Sequence, residues 1–570
     1  MDTHTPNRYE QLAQLFSGMI ENGELTPGAR MPSVRSVSQR HRISTSTALQ
    51  AYRLLEEQGV LTVRPQSGFY VATPRHGRLS LPLIGRASPD TQAPHRYEQL
   101  AELIEHMVAN GALASGTRLP SVRAVSEQHH LSVSTVLQAY RLLENRGVLV
   151  ARPQSGFYVA PARRSALALP STSRPPTKPS TVSISGAVAA LLEHASNSAF
   201  VPLGCAVPDS ELLQSKRLDF ALARAARDHG SQYNVYGTPR GEASLRREIA
   251  KRALRFDHAL SPDDLFITNG CTEALMLALM AVSKRGDTIA IEAPTYFGVL
   301  HTLEVLGLKA LELPTHPTHG VNIAALARVL DTGPVAACVL SSTFNNPLGS
   351  AMVEADKRAL LALLARRAVP LIEDDVYGDI HFGRERPKPF IALDGGANTI
   401  YCSSFSKTLA PGYRVGWIAP GAYTQRVMER KLAFSLCNPI LPQIAITDFL
   451  ANGAYDAHLR RLRRLLEENI SRMTRAIEES FPSDTKVSRP AGGFMIWVEL
   501  PRRFDSRALF DAALEQGICF APGDVFSASR RFRNCLRLSA GSEWSDRIED
   551  GVRRLGLLSR NLIAGSTSLA

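Results

Sequence analysis

Lys407 lies in the run Ser403-Ser404-Phe405-Ser406-Lys407-Thr408-Leu409-Ala410-Pro411-Gly412-Tyr413-Arg414. An unprotonated lysine amine attacks aldehydes and forms a covalent carbon–nitrogen link. Serine hydroxyls before it and a guanidinium after it suit a phosphate group, which accepts hydrogen bonds from both. An aldehyde and a phosphate on one ring describe pyridoxal 5'-phosphate (PLP). Ser-x-Ser-Lys alone also describes many solvated loops, so the other parts of a PLP site must be present too.

Those parts occur upstream, each at the end of a segment that reads as a strand. Leu371-Ile372-Glu373-Asp374-Asp375-Val376-Tyr377 is a buried apolar run that emerges into acids. Asp374 offers the carboxylate that keeps a pyridine nitrogen protonated, and Tyr377 a donor to the ring oxygen. Ser341-Ser342-Thr343-Phe344-Asn345-Asn346-Pro347 ends a strand in a turn, where Asn346 can reach the same oxygen. Leu265-Phe266-Ile267-Thr268-Asn269-Gly270-Cys271-Thr272 passes from strand through glycine into helix. The amides of Gly270 and Cys271, with Thr272, make an anion cradle there. Tyr296, in Glu292-Ala293-Pro294-Thr295-Tyr296, offers an aromatic face to a ring. Singly, Asp374 is also a solvated strand end, Gly270 a plain turn and Tyr296 a core residue. As an ordered set they point to one site.

With these residues in place, positions 182–560 resemble a fold-type I aminotransferase. The resemblance implies a mainly α/β domain, with a large doubly wound mixed sheet and a small C-terminal α+β part. It implies that Lys407, Asp374, Tyr377, Asn346, Ser404, Arg414 and Thr272 hold PLP. Tyr236, in Tyr233-Asn234-Val235-Tyr236-Gly237, resembles the tyrosine that reaches the neighbouring subunit's cofactor phosphate, which implies a homodimer. Arg537, in Leu536-Arg537-Leu538-Ser539, resembles the arginine that clamps a substrate α-carboxylate. As a residue on a strand it also fits a surface position.

The first third of the chain repeats itself. Arg8-Tyr9-Glu10-Gln11-Leu12-Ala13 returns as Arg96-Tyr97-Glu98-Gln99-Leu100-Ala101, and Pro32-Ser33-Val34-Arg35 as Pro120-Ser121-Val122-Arg123. Arg64-Pro65-Gln66-Ser67-Gly68-Phe69-Tyr70-Val71 returns as Arg152-Pro153-Gln154-Ser155-Gly156-Phe157-Tyr158-Val159. The spacing is constant and gap-free. Two copies are too few for a solenoid, so each reads as a small domain, at 6–73 and 94–161. Leu12, Leu15, Phe16 and Met19 have helical spacing, and Gly23 and Pro27-Gly28 end that helix. A short helix follows Ser33, Ser44 can cap a third, and two strands flank Pro65-Gln66-Ser67. This is the order of a winged helix-turn-helix.

The Pro-Ser-Val-Arg, Ser-x-Ser-Thr and Leu-Gln-Ala-Tyr-Arg-Leu-Leu-Glu runs resemble the GntR family. Joined to an aminotransferase-like domain, they resemble the MocR-type regulators. The resemblance implies contacts to double-stranded DNA from Arg35, Ser46, Thr47 and Gly68, and from Arg123, Ser134, Thr135 and Gly156. Two features depart from the family. Where its recognition helix often begins with an arginine, this chain has Thr45 and Val133. The winged domain is also present twice, so one copy can be a packing module while the other binds DNA.

The 570 residues carry a net charge of +12, which suits a polyanionic partner without requiring one. Arg460-Arg461-Leu462-Arg463-Arg464 contributes to it and reads as a solvated helix face. Seven scattered cysteines show neither disulfide nor metal spacing, which fits a reducing cytoplasm. The start of the chain does not read as a signal peptide, and no apolar stretch is long enough to span a bilayer. Residues 74–93 and 162–181 read as linkers, the second extended at Arg174-Pro175-Pro176 and able to tether a mobile arm. Two functions fit: a regulator that senses PLP, or a PLP-reactive amine or amino acid, and a working aminotransferase with appended DNA-binding domains. Arms that serve assembly alone are the weaker third.

Overall fold

The computed structural model describes residues 8–21, 29, 31–41, 43–57, 60–64, 68–71, 96–114, 116–145, 148–152, 155–160, 167–195, 197–213, 215–228, 230 and 234–567. The chain divides into two compact units, Met1–Ala162 and Arg163–Ala570.

The first unit contains both repeats. Copy one runs α1 (Arg8–Glu21), α2 (Val34–His41), α3 (Thr45–Glu57), β1 (Leu61–Arg64) and β2 (Gly68–Val71). Copy two runs α4 (Arg96–Ala109), α5 (Val122–His129), α6 (Val133–Asn145), β3 (Leu149–Arg152) and β4 (Gly156–Val159). Each has its own core. Leu12, Phe16, Val37, Ala51, Tyr52, Leu55, Leu61 and Val71 close the first, while Leu15 points out, 48% exposed. Leu100, Ile104, Val125, Ala139, Tyr140, Leu143, Leu149 and Val159 close the second. The same tie recurs in both: Tyr52 donates to the Pro32 carbonyl at 2.8 Å and Tyr140 to the Pro120 carbonyl at 2.9 Å.

The second unit is built on a nine-stranded mixed sheet. Its strands are β5 (Ser180–Thr181), β7 (Phe266–Asn269), β8 (Thr288–Ala293), β9 (Lys309–His316), β10 (Gly320–Val321), β11 (Ala337–Leu340), β12 (Leu371–Asp374), β13 (Thr399–Ser404) and β14 (Val415–Ala419). β6 (Val201–Pro202) lies outside it, paired with β17 (Ile518–Cys519). The order is β10-β9-β8-β11-β12-β13-β14-β7, with β5 against β9. β9, β8, β11, β12 and β13 are mutually parallel; β14 runs against both β13 and β7. Parallel strands are covered on both faces and therefore read as continuous apolar runs. Alternation sends Ile289, Ile291 and Val339 into one core and Ala290, Cys338 and Leu340 into the other. A smaller antiparallel sheet has the order β15 (Lys486–Val487), β16 (Met495–Glu499), β19 (Cys535–Ser539), β18 (Ala521–Pro522).

Residues 167–181 contain no helix, as their prolines require. They are not a loose tether, however. Val487 N–H donates to the Ala168 carbonyl at 2.9 Å and Arg489 to the Leu167 carbonyl at 2.8 Å. The Ser171 amide and hydroxyl donate to Glu499, and Lys486 donates to the Ser171 hydroxyl at 2.7 Å. Further along, Thr315 N–H donates to the Ser173 hydroxyl at 2.9 Å. The segment is thus a strap bonded to the nine-stranded and the four-stranded sheets of this unit. The expected linker at 74–93 and the first residues of the other, 162–166, lie outside the described residues. The arginine run is also not wholly a solvated face. Arg463 donates to the Asp379 carbonyl at 2.7 Å and Arg461 to the Leu212 carbonyl at 3.3 Å, while Arg460 and Arg464 stay exposed.

Among the described residues no helix is long and apolar enough to cross a membrane, and no cluster of His, Cys, Asp and Glu has metal-binding geometry. All seven cysteines are free thiols.

Candidate functional site

The expected PLP residues converge at the carboxyl ends of β7, β8, β11, β12 and β13, where open α/β sheets bind ligands. Asp374 is the last residue of β12 and is buried. Its neighbours Glu373 and Asp375 take other directions, as alternation dictates. Glu373 accepts from the Ser342 hydroxyl at 2.8 Å, and Asp375 pairs with Arg386 and accepts from the Tyr401 hydroxyl at 2.8 Å. Cys271 donates its thiol to Asp374 at 3.4 Å. Burial raises the Asp374 carboxyl to about 6, against the Cys271 hydrogen bond that lowers it. A cation placed directly against this carboxylate, such as a pyridinium N–H, would favour its charged form.

Lys407 projects into the same space. Its amine donates to the Ala206 carbonyl at 2.7 Å. Burial lowers it to about 8, so a substantial fraction is neutral and nucleophilic near physiological pH. Asn346 is buried and hydrogen bonds with the Tyr377 phenol, which burial pushes well up. Tyr296 lies beside them, its phenol pushed up to about 12 by burial.

The expected phosphate end is the turn between β7 and the helix Gly270–Val282, faced by Arg414. Arg414 has left-handed backbone, donates to the Asn269 carbonyl at 3.0 Å and reaches the Ser406 hydroxyl at 3.4 Å. Gly270 has φ +72, and a Cβ there would stand 2.5 Å from the Arg414 guanidinium. Only glycine leaves that gap open. The Ser404 hydroxyl accepts from Ser406 N–H at 3.3 Å, and Thr272 is exposed in the helix's first turn. Beneath them Glu273 accepts from Asn269 N–H and from Lys431 at 3.2 Å, which fixes the turn.

Arg537 is buried on β19, not on the surface. It donates to Asn346 at 3.3 Å and to the Gly204 carbonyl, and its ring-plane neighbour is Phe526 at 5.3 Å. Its Nε has no partner among the described residues. A buried guanidinium with a donor to spare is suited to a carboxylate. Tyr236 stands apart from this cluster, 84% exposed. The segment Gly204-Cys205-Ala206 was not legible as part of the site, because it acts through the carbonyls of Gly204 and Ala206. Gly204 does carry a packing constraint, since a Cβ would lie 2.9 Å from the Phe520 backbone.

The set fits PLP: an amine of lowered basicity, a buried acid with no ion pair among the described residues, and a cradle held open by Gly270. When bound, PLP supplies an electron sink for chemistry at an amine-bearing carbon. Lys407 would hold the aldehyde, Asp374 the ring nitrogen, Tyr377 and Asn346 the ring oxygen. Ser404, Ser406, Arg414, Cys271 and Thr272 would hold the phosphate end, and Tyr296 the ring face.

In the winged copies, Ser44 caps α3 by accepting from Thr47 N–H at 3.0 Å and holds the Ser46 and Thr47 hydroxyls, each at 2.7 Å. Ser132 does the same for α6, accepting from Thr135 N–H at 3.1 Å with the Ser134 and Thr135 hydroxyls at 2.8 and 2.7 Å. Arg35 and Arg123 are exposed in the first turns of α2 and α5. Gly68 pairs with Arg64 and Gly156 with Arg152 at the wing tips. Gly156 has φ +103, a conformation that other residues rarely adopt. Hydroxyls, cations and a bare backbone are the groups that bind phosphates.

The chain matches two family models. Residues 207–551 match aminotransferase class I and II, and residues 8–71 and 96–159 each match the bacterial regulatory proteins of the gntR family. It is 38% identical to the uncharacterized HTH-type transcriptional regulator YdcR of Escherichia coli, over 81% of this chain and 98% of that one. It is 37% identical to YjiR of the same organism, with the same coverage. Among solved structures it resembles the α-aminoadipate aminotransferase LysN of Thermus thermophilus, complexed with N-(5'-phosphopyridoxyl)-L-leucine. That match has TM-score 0.62 and 30% identity, over 66% of this chain and 95% of that one. By sequence and by fold, this chain belongs to the MocR-like HTH-type transcriptional regulators, which join a gntR-family winged domain to an aminotransferase class I/II domain, and it carries the winged domain twice.

Proposed function

We propose that the protein is a double-stranded-DNA-binding transcription regulator whose aminotransferase-like domain carries PLP on Lys407 and responds to an amine or amino acid. One observation carries the ligand half: Arg537, buried and with no partner for its Nε among the described residues, bonds to Asn346 and Gly204 and acts on Lys407, which also feels Asp374. A ligand bearing amine and carboxylate engages both ends, and its differential affinity for two states shifts DNA-bound populations. Both winged copies bind DNA, since both keep the capped hydroxyls and the exposed arginine. The exposed Tyr236 supports a homodimer in which it completes the partner's phosphate site. Cytoplasmic DNA is the partner such arms suit.

The complete pocket also supports a working aminotransferase. Operator binding and an amino-acid half-reaction, measured on one preparation, separate the two. The regulator reading requires operator affinity that changes with the amine ligand; turnover with no operator binding overturns it. Arg35→Ala and Arg123→Ala should each weaken binding and flatten its salt dependence, because each removes a cation from the phosphate contacts. If only one does, the other copy is a spacer.

A further inference from the structure

The third helices of the two winged copies present nearly the same outward face. Thr45, Ser46, Gln50 and Arg53 are exposed on α3, and Val133, Ser134, Gln138 and Arg141 are exposed on α6. From their first residues to Glu56 and Glu144 the helices differ at two positions only. One pair, Ala48 and Val136, is fully buried in the respective cores. The other, Thr45 and Val133, faces out, and Val133 is 50% exposed. Over that span a single residue therefore distinguishes the two outward faces. In copy two that residue is apolar.

The major groove presents hydrogen-bonding atoms at every base pair and one apolar group, the 5-methyl of thymine. Valine has two methyl groups and nothing to donate or accept. Set against a guanine, adenine or cytosine edge, it strips water from polar atoms without replacing the hydrogen bonds. Set against a thymine methyl, it buries apolar surface on both sides. Threonine has a hydroxyl and one methyl and tolerates either edge. We propose that Val133 is a specificity-determining residue: it packs on one thymine 5-methyl group, which the half-site of copy two must carry and the half-site of copy one, read by Thr45, need not. This rests on the reading that both copies bind DNA.

The preceding helices diverge in the same sense. Before their last residues, His41 and His129, α2 of copy one has Gln39-Arg40 where α5 of copy two has Glu127-Gln128. That helix crosses the phosphate backbone in this kind of motif. Copy one thus has more positive charge to offer phosphates there.

The test uses PLP-loaded full-length protein with Val133→Thr and Thr45→Val. Each variant installs a residue that the other copy already carries at that place, so both should fold. Operators are selected from random DNA, and in the enriched sequence each thymine is replaced in turn by uracil, which removes only the methyl group. Wild type should enrich half-sites of two kinds, alike except at one position. Uracil at that position should weaken binding about fourfold, the worth of one buried methyl. Val133→Thr should abolish that loss and make the half-sites alike, and Thr45→Val should create a second thymine requirement. Uracil tolerated at every position by wild type, or an unchanged profile for Val133→Thr, overturns the assignment. Failure of wild type to enrich any sequence instead overturns the DNA-binding reading beneath it.

Discussion

At the scale of single residues, the pocket works by depriving charged groups of water. Burial lowers the Lys407 amine to about 8 and raises the Asp374 carboxyl to about 6. The two shifts have opposite directions because burial favours the neutral form of each. Capture of PLP by apo-protein needs the neutral amine. Its rate should rise about tenfold from pH 7 to pH 9 and level off above, as a group titrating near 8 requires. A lysine of ordinary basicity would give a steeper rise with no plateau. Stopped-flow absorbance of PLP mixed with apo-protein checks this, and Lys407→Ala should abolish the lysine-bound absorption altogether. Arg537 makes a second prediction. Lysine keeps its charge but loses the fork, so Arg537→Lys should weaken binding of an amino acid at least tenfold. PLP should still bind, as monitored by its visible absorption during titration.

At the scale of elements, most of the site was legible because its residues sit at strand ends, in short runs whose chemistry is specific. Asp374, Asn346, Gly270 and Lys407 are brought together by the parallel order of β11, β12 and β13 and by β7 at the sheet edge. The winged domains were legible for another reason: each boundary carries its own cap or break. Ser44 and Ser132 both cap as their positions imply. Replacing either serine by alanine should destabilise its winged copy by about 1 kcal/mol. It should also weaken operator binding, because the same hydroxyl holds Ser46 and Thr47, or Ser134 and Thr135. Thermal unfolding of the full chain, together with DNA affinity, measures both effects. What was not legible is backbone work. The carbonyls of Gly204 and Ala206 accept from Arg537 and Lys407 without any side-chain signature. The inward turn of Arg461 and Arg463 was hidden for a different reason: four arginines on one helix look alike until their neighbours are known.

At the scale of the whole molecule, a change in the PLP pocket must reach the chain that leads to the winged domains. The strap at 167–181 is placed to carry it. A proline-rich sequence reads as extended whether free or docked, and its docking depends on serines and main chain. It is bonded to β9 through Ser173 and Thr315, and to the small sheet through Ser171, Lys486 and Glu499. β16, which ends in Glu499, pairs with β19 so that Trp497 lies opposite Arg537. At the other contact, Thr315 accepts from Ala293 N–H at 3.1 Å, a few residues before Tyr296 of the pocket. A ligand that shifts Arg537 therefore acts on one anchor of the strap through β16, and one that shifts Tyr296 acts on the other through Ala293 and Thr315. Glu499→Gln weakens one anchor by removing the charge that Ser171 and Lys486 bond to, and Ser173→Ala leaves the Thr315 amide without its acceptor. Neither residue belongs to the winged copies, and the partners of both, Ser171, Lys486 and Thr315, lie outside the PLP-site residues. Both variants should bind PLP and operator as wild type does in the absence of an amine ligand. The ratio of operator affinities with and without that ligand should fall toward one, and further in the double variant. Fluorescence anisotropy of labelled operator, titrated with and without the amino acid, measures that ratio. An unchanged ratio in the double variant would show that the strap transmits nothing.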